Sequence, residues 1–184
     1  MSVDPSRVLV VAATKSEAAY VPDHLRLVLT SIGKVEAASV TAAAIAQHRP
    51  ELVLNVGTAG ALRPGVAGLF LPSLVVNHDL SAAAIRALGH DPVDEIEIAG
   101  GDGTALATGD LFVTDPATRD LIAERAHLVD MEGFAVARAC QLAHVPCRLV
   151  KVVSDTADDS AMDWPAVVDA CARVLGDWLR DELG

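Results

Sequence analysis

Short, unbroken apolar runs, separated by segments of helical periodicity, are the feature that most constrains the fold of this chain. The clearest runs are Arg7–Ala13, Glu51–Val56 and Cys147–Val153. Strands that are apolar on both faces are typical of a parallel sheet covered by helices on both sides. The helical pattern is clearest over Lys34–His48 and Trp164–Leu183. This alternation predicts an α/β fold: a three-layer sandwich with a central mixed, mostly parallel sheet flanked by helices, in a single domain over residues 1–184.

The weaker patterns predict the remaining elements. The glycines of Gly57–Gly60 indicate a turn after the strand that ends at Val56, and Pro72 indicates an edge or a bulge within the run 69–77. We expect residues 81–103 to be irregular, apart from one or two helical turns over 82–88. Further strands are expected over 25–30, 104–108 and 128–131, further helices over 116–126 and 132–143, and an apolar face on the first helix through Val35, Ala38, Ala42 and Ile45.

Charge and composition exclude several classes of protein. The chain has 14 Lys and Arg against 25 Asp and Glu, a formal net charge of −11, so a nucleic acid or an anionic membrane would repel it. Its apolar runs are far shorter than the roughly 20 residues of a membrane-spanning helix. The polar segment 1–7 lacks the pattern of a targeting signal, and the three cysteines lack CxxC spacing, so we expect a cytoplasmic protein with reduced thiols. The six histidines show no metal-ligand spacing, and we expect no metal and no cofactor.

Polar residues follow the apolar runs at the points where ligands bind in α/β folds. Glu17 follows the first strand, Gly57–Gly60 follows the third, Glu132 begins a helix, and Asp155 follows the most apolar strand. Each has an ordinary explanation, as a helix-start acid, an N-cap or a tight turn. Together, three carboxylates at the strand ends of one sheet are predicted to meet in one cleft, an arrangement that is costly unless a ligand or a shared proton uses it.

The order of motifs along the chain resembles that of a known enzyme superfamily. The motifs are Val10–Glu17, Ser31–Lys34, Asn55–Ala61, Thr108–Phe112, Val129–Gly133 and Val152–Asp158. As a set they resemble the nucleoside phosphorylase and nucleosidase superfamily, and most of all its 5′-methylthioadenosine/S-adenosylhomocysteine nucleosidases. The resemblance extends from about residue 7 to residue 180. It implies a nucleoside-phosphorylase-like fold and hydrolysis of the N-glycosidic bond of a purine nucleoside, with release of adenine.

The resemblance also implies a role for individual residues. Asp155 would protonate the purine at N7 and Ser154 would orient it, while Phe112 would stack on the base and the backbone of Val113 would read its edge. Glu132 would bind the ribose hydroxyls and stabilise the oxocarbenium ion. Glu17 would activate the attacking water. Met131 would pack on the sugar, and Thr58, Ala59 and Gly60 would line the ribose and water side. Apart from the resemblance, Trp164 and Trp178 are expected to be packing residues and not ligand contacts.

Three alternatives remain open from the sequence. The substrate could be another purine nucleoside, such as futalosine; the enzyme could be a phosphate-dependent phosphorylase; or the chain could bind nucleosides without turnover. Asn55 stands where phosphorylases of this superfamily usually carry an arginine, which favours water over phosphate. The protein is expected to bind a small purine nucleoside. Because family members are commonly dimers, it is also expected to bind a second copy of the chain. His78 and Asp79 are expected either near the mouth of the site or on the surface.

Overall fold

A mixed nine-stranded sheet organises the part of the chain that the structure describes. The computed structural model describes residues 4–184; the first three residues of the polar segment 1–7, considered above for a targeting signal, lie outside it. The strands are β1 (Val8–Ala12), β2 (Arg26–Leu29), β3 (Leu52–Ala61), β4 (Leu69–Phe70), β5 (Leu74–Asn77), β6 (Glu95–Glu97), β7 (Ala105–Thr108), β8 (Leu128–Asp130) and β9 (Cys147–Asp155). The α-helices are α1 (Lys34–His48), α2 (Ala82–Ala87), α3 (Pro116–Ala123), α4 (Gly133–Ala143) and α5 (Trp164–Leu183).

The sheet is mostly parallel and is centred on β3. Its main path runs β2-β1-β3-β8-β7-β5-β6, and β9 pairs with β3 and β4 off this path. The pairs β1–β2, β1–β3, β3–β9, β5–β7 and β7–β8 are parallel, whereas β3–β8, β4–β9 and β5–β6 are antiparallel. The predicted class, a mixed and mostly parallel sheet, is therefore confirmed.

Helices cover both faces of the sheet because its central strands are apolar on both sides. In β1, Val8 and Val10 face the cluster that contains Leu175 of α5. The alternate residues Leu9 and Val11 face the cluster formed with α1 and α4. The two-residue repeat of a strand thus feeds two separate cores, as expected for a three-layer sandwich.

Two predicted loops are wrong because neighbouring strands extend pairing into them. Gly57–Gly60 is not a turn: β3 continues to Ala61, since β9 pairs with it along this stretch and β8 pairs with its last two residues. Glu95–Glu97, within the stretch expected to be irregular, forms β6 against β5. The expected single strand over 69–77 instead forms β4 and β5, separated around Pro72, which pair with different neighbours.

The predicted apolar face of α1 is only partly correct: Ile45 is buried and Ala38 packs against the core, but Val35 and Ala42 are exposed. Val35 is 72% exposed, whereas Ala37, Thr41, Ala44 and Ile45 are buried. Alanine occurs on every side of this helix, so apolar spacing alone does not identify the buried stripe. The other predicted elements agree with the structure to within a few residues at each end.

No helix of residues 4–184 combines the length and the apolar character needed to cross a bilayer.

Candidate active site

One cavity of about 460 Å³ lies where the carboxyl ends of β1, β3, β8 and β9 converge. This is the edge at which α/β sheets place their ligands. The structure brings all ten residues predicted for the site onto its lining: Glu17, Thr58, Ala59, Gly60, Phe112, Val113, Met131, Glu132, Ser154 and Asp155.

Glu17 is held in one orientation by four hydrogen bonds. The Thr14 amide (3.2 Å) and hydroxyl (2.9 Å) donate to Oε2. The Thr58 amide (2.8 Å) and hydroxyl (2.9 Å) donate to Oε1. The side chain is buried, with 6% of its surface exposed. Because both oxygens have donors on the protein, the carboxylate is pre-organised before any ligand arrives.

Trp164 belongs to this site, although packing was expected of it. Its indole Nε1 donates to the Thr58 hydroxyl at 2.9 Å, and that hydroxyl in turn donates to Glu17. Trp164 also lines the cavity. The start of α5 is thereby connected to the carboxylate that follows β1. Trp178, by contrast, packs against the core as predicted.

Glu132 lies just before α4 and turns its carboxyl group toward the cavity. Its Oε1 accepts a hydrogen bond from the Gly33 amide at 2.9 Å. Burial raises the pKa of Glu132 to about 7, the neighbouring Asp130 and Glu17 carboxylates act in the same direction, and the Lys151 ammonium and the Gly33 amide oppose them. Glu132 is therefore poised to change charge near neutral pH.

A bulge at the end of β9 places Ser154 and Asp155. Ala59 pairs with Val153 and Gly60 with Asp155, so Ser154 is an extra residue on β9. Bulges of this kind re-aim side chains next to active sites. The Ser154 hydroxyl donates to Asp155 Oδ2 at 2.6 Å, and the Ala157 amide donates to Oδ1 at 2.8 Å.

Gly60 leaves room for the Asp155 carboxyl group. A Cβ atom at position 60 would lie 2.9 Å from Asp155 Oδ1 and 3.1 Å from the Ala157 Cβ. The small residues at the end of β3 are thus required by close approach, and not by the turn that they were predicted to form.

The sequence did not predict a buried ion pair between Asp130, which lines the cavity, and Lys151, which does not. Lys151 Nζ lies 2.8 Å from Asp130 Oδ2, and Lys151 is only 1% exposed. Burial alone would lower the pKa of Lys151, but Asp130, Glu132 and Glu17 outweigh it and raise that pKa. One signal was available: a lysine within a strand expected to be buried on both faces needs an anionic partner.

The outer part of the cavity is apolar. Ile32, Leu111, Phe112 and Met162 line it with their side chains still exposed, while Val113 is buried. Among residues 4–184 there is no group of three or more His, Cys, Asp or Glu side chains arranged to hold a metal ion.

His78 and Asp79 lie behind the loop that carries Phe112. A Cβ atom on Gly109 would clash with the His78 ring, so the imidazole packs directly against this loop. Asp79 accepts from the Asp110 amide at 2.8 Å and pairs with Lys34. These two residues therefore support the Phe112 loop from behind, and neither lines the cavity.

Comparison with known proteins identifies the family of this chain. The model of the phosphorylase superfamily matches residues 17–90 and 69–179. The 5′-methylthioadenosine/S-adenosylhomocysteine nucleosidase of Anoxybacillus flavithermus is 31% identical over 156 residues, which cover 71% of this chain and 67% of that protein.

The solved structures that share the fold include two from Helicobacter pylori. The 5′-methylthioadenosine/S-adenosylhomocysteine nucleosidase of Helicobacter pylori superposes with a TM-score of 0.84 at 22% identity, covering 100% of this chain and 99% of that one. The futalosine hydrolase of the same organism has a TM-score of 0.84 at 23% identity, with 96% of each chain covered. At identities this low, the superpositions establish only the fold. The family match and the 31% identical relative establish membership of the family. The chain belongs to the phosphorylase superfamily, as the order of its motifs predicted.

Proposed function

We propose that this chain hydrolyses the N-glycosidic bond of a purine nucleoside, with 5′-methylthioadenosine and S-adenosylhomocysteine as substrates. The observation that carries the proposal is the meeting of Glu17, Glu132 and Asp155 around one cavity. Breaking this bond requires a protonated leaving group, a stabilised sugar cation and an aimed nucleophile. Relatives named for this activity support the choice of substrate.

The leaving-group side is assigned to Asp155. Its carboxyl group donates a proton to N7 of the purine as the bond from N9 to C1′ breaks. Ser154 orients that carboxyl group through the 2.6 Å hydrogen bond. Phe112 stacks on the base, and the backbone of Val113 contacts its edge, since both residues line the cavity.

The sugar side is assigned to Glu132. Its carboxylate accepts hydrogen bonds from the 2′ and 3′ hydroxyls and stabilises the positive charge that develops on the ribose. Met131 packs on the sugar. Because Oε1 already accepts from the Gly33 amide, Glu132 approaches the ribose in one orientation.

The water side is assigned to Glu17. Water attacks C1′ and its proton passes to Glu17, so Asp155 has lost one proton and Glu17 has gained one when the products form. Exchange with solvent restores both groups. Thr58 fixes Glu17 through its amide and hydroxyl, and the adjoining Ala59 and Gly60 line the same wall.

The charges around the cavity favour water over phosphate. Within residues 4–184, the lining includes four acidic side chains and no lysine or arginine. Asn55, at the position of the phosphorylase arginine, is buried and donates to the Val11 carbonyl. A phosphate ion would meet repulsion there without a lining cation to offset it.

One assay tests the reaction type. We expect the purified protein to release adenine from 5′-methylthioadenosine at the same rate with and without added phosphate, as measured by chromatography. Strict phosphate dependence would establish a phosphorylase instead. Release from futalosine in place of 5′-methylthioadenosine would correct the substrate. No release from any purine nucleoside would identify a binding protein.

We also propose that the protein is a cytoplasmic homodimer. The exposed apolar residues Ile32, Leu111, Phe112 and Met162 at the cavity mouth support an interface there. The three cysteines are free thiols, which suits a reducing compartment. Light scattering should give twice the mass of the chain, and the mass of a single chain at assay concentrations would contradict the dimer.

A further inference from the structure

Residues on neighbouring strands cap the start of α4, and Glu132 does not. Asp130 Oδ2 accepts from the Gly133 amide at 2.9 Å. The Thr108 hydroxyl oxygen accepts from the Phe134 amide at 2.9 Å. Glu132 occupies the N-cap position, yet its side chain makes no capping hydrogen bond.

Asp130 is itself fixed from two further directions. The Thr108 hydroxyl donates to Oδ1 at 2.5 Å, and the Lys151 ammonium lies 2.8 Å from Oδ2. All three residues are buried, with at most 6% of their surface exposed. The Thr108 hydroxyl acts as both donor and acceptor, since it donates to Asp130 and accepts from the Phe134 amide.

This arrangement changes what Glu132 is free to do. An acidic residue at a helix start ordinarily caps its own helix. Here the first two amides of α4 already have acceptors, so the Glu132 carboxyl group points into the cavity. The charged groups that act on it are Asp130 on β8, Lys151 on β9 and Glu17 after β1.

We propose that Thr108, Asp130 and Lys151 are positioning residues for the sugar carboxylate. Thr108 and Asp130 cap α4 in place of Glu132, Lys151 holds Asp130 in place, and the charges of Asp130 and Lys151 act on Glu132. The identity of the bound hydroxyls rests on the proposed function. The capping and the electrostatic coupling rest on the hydrogen bonds and ion pair alone.

The first test separates the capping hydroxyl from the volume of Thr108. We expect Thr108→Val to lower kcat/KM for 5′-methylthioadenosine about tenfold or more, because Glu132 loses its fixed position. Thr108→Ser keeps the hydroxyl and should stay close to the wild type. Equal activity of the two variants, assayed well below their melting temperatures, would overturn the positioning role.

The second test uses pH, which a merely structural role would not move. Glu132 must be ionised to stabilise the sugar cation, so its titration contributes to the acid limb of the kcat/KM profile. Asp130 is one of the carboxylates that raise the pKa of Glu132. Asp130→Asn should therefore move this limb to lower pH, by about one unit. Lys151 keeps Glu132 and Glu17 as anionic neighbours in this variant. The matched control is Asp94→Asn, which removes another buried aspartate paired with Arg86 and Arg125.

The control should leave the acid limb in place even where it lowers stability. An unmoved limb in Asp130→Asn, or the same displacement in Asp94→Asn, would overturn the electrostatic part of the proposal. Should Asp130→Asn fail to fold, the Thr108 pair still decides the capping part.

A readout without substrate separates this inference from the proposed function. Amide hydrogen exchange at Gly133 and Phe134 should be faster in Thr108→Val than in Thr108→Ser. Faster exchange in a protein that releases no adenine would reject the proposed function and keep the capping. Unchanged exchange in a Thr108→Val variant of an active nucleosidase would reject the capping and keep the proposed function.

Discussion

At the scale of single residues, the burial that places Glu132 in the site lowers the stability of the folded protein when its carboxyl group is ionised. Its ordinary pKa of 4.5 applies to the unfolded chain, and the folded value is about 7. The native state therefore keeps a proton that the unfolded chain loses between these values. Stability from this group is complete below pH 4.5 and is lost as the pH rises through 7.

The first prediction follows from that sign. Glu132→Gln removes the buried charge, so the variant should be more stable than the wild type at pH 8, by about 3 kcal/mol, and close to it near pH 4.5. Urea denaturation at both pH values measures the difference. A gap that is independent of pH would show that the carboxyl group is not desolvated as described.

Asp155 gives the second prediction. Asp155→Asn keeps a side chain of the same shape beside Ser154 and Ala157, but it cannot donate a proton to the purine. We expect adenine release to fall about a hundredfold or more while the melting temperature changes little. Asp159→Asn, an exposed neighbour outside the cavity lining, is the matched control.

The choice of leaving group makes this test specific. A riboside that releases p-nitrophenolate needs no proton, so Asp155→Asn should retain most of the wild-type rate on it. An equal loss on both substrates would assign Asp155 a structural role.

At the scale of elements, the end of β3 is packed against two of the carboxylates. An alanine Cβ at position 60 would meet Asp155 Oδ1 at 2.9 Å, and one at position 57 would meet Glu17 Oε1 at 3.1 Å. The same substitution three residues apart along one strand thus disturbs two different groups.

The third prediction compares these two variants. Gly60→Ala should slow adenine release but spare the p-nitrophenyl riboside, whereas Gly57→Ala should slow both, because the water must be activated for either substrate. Circular dichroism checks that both variants are folded. Identical profiles on the two substrates would contradict the separation of roles along β3.

The same strand shows how far sequence patterns reach. The apolar runs predicted β1 and β9, and the helical periodicity predicted α1 and α5, because both patterns depend on residues that are close in sequence. The same periodicity did not identify the buried face of α1. The extension of β3 through Gly57–Gly60 depends on β9 and β8, which lie far along the chain. Glycines that permit a close approach are indistinguishable, in the sequence alone, from glycines that permit a turn.

The site also contains some residues that the sequence predicted and some contacts that it did not predict. Motif resemblance identified ten residues that the structure brings to one cavity, but it did not indicate the Lys151–Asp130 pair or the hydrogen bond from Trp164 to Thr58. Those contacts join distant segments through side chains, and no spacing rule relates them. Lys151 was detectable only as an unexplained charge in a buried strand.

At the scale of the whole molecule, the site is assembled from both ends of the chain. Glu17 follows β1, while Asp155 and Trp164 belong to the last quarter of the residues. Strand pairing between β3 and β9 brings these parts together. Contacts between residues this far apart form late, because closing long loops costs chain entropy.

The fourth prediction is kinetic. After dilution from denaturant, adenine-releasing activity should return with the slowest folding phase, and no earlier phase should be active. Stopped-flow fluorescence of the two tryptophans, run beside a coupled activity assay, gives the two time courses. Activity that precedes the final fluorescence change would contradict the assembly of the site by β9 and α5.

The hydrogen bond from Trp164 to Thr58 has a consequence for synthesis on the ribosome, because Trp164 is added late. Before that tryptophan has been synthesised, the growing polypeptide already contains Glu17 and Thr58 but not the indole that donates to the Thr58 hydroxyl. We therefore expect Glu17 to be held less rigidly in a nascent chain that still lacks Trp164, and likewise in a finished molecule whose final helix has loosened.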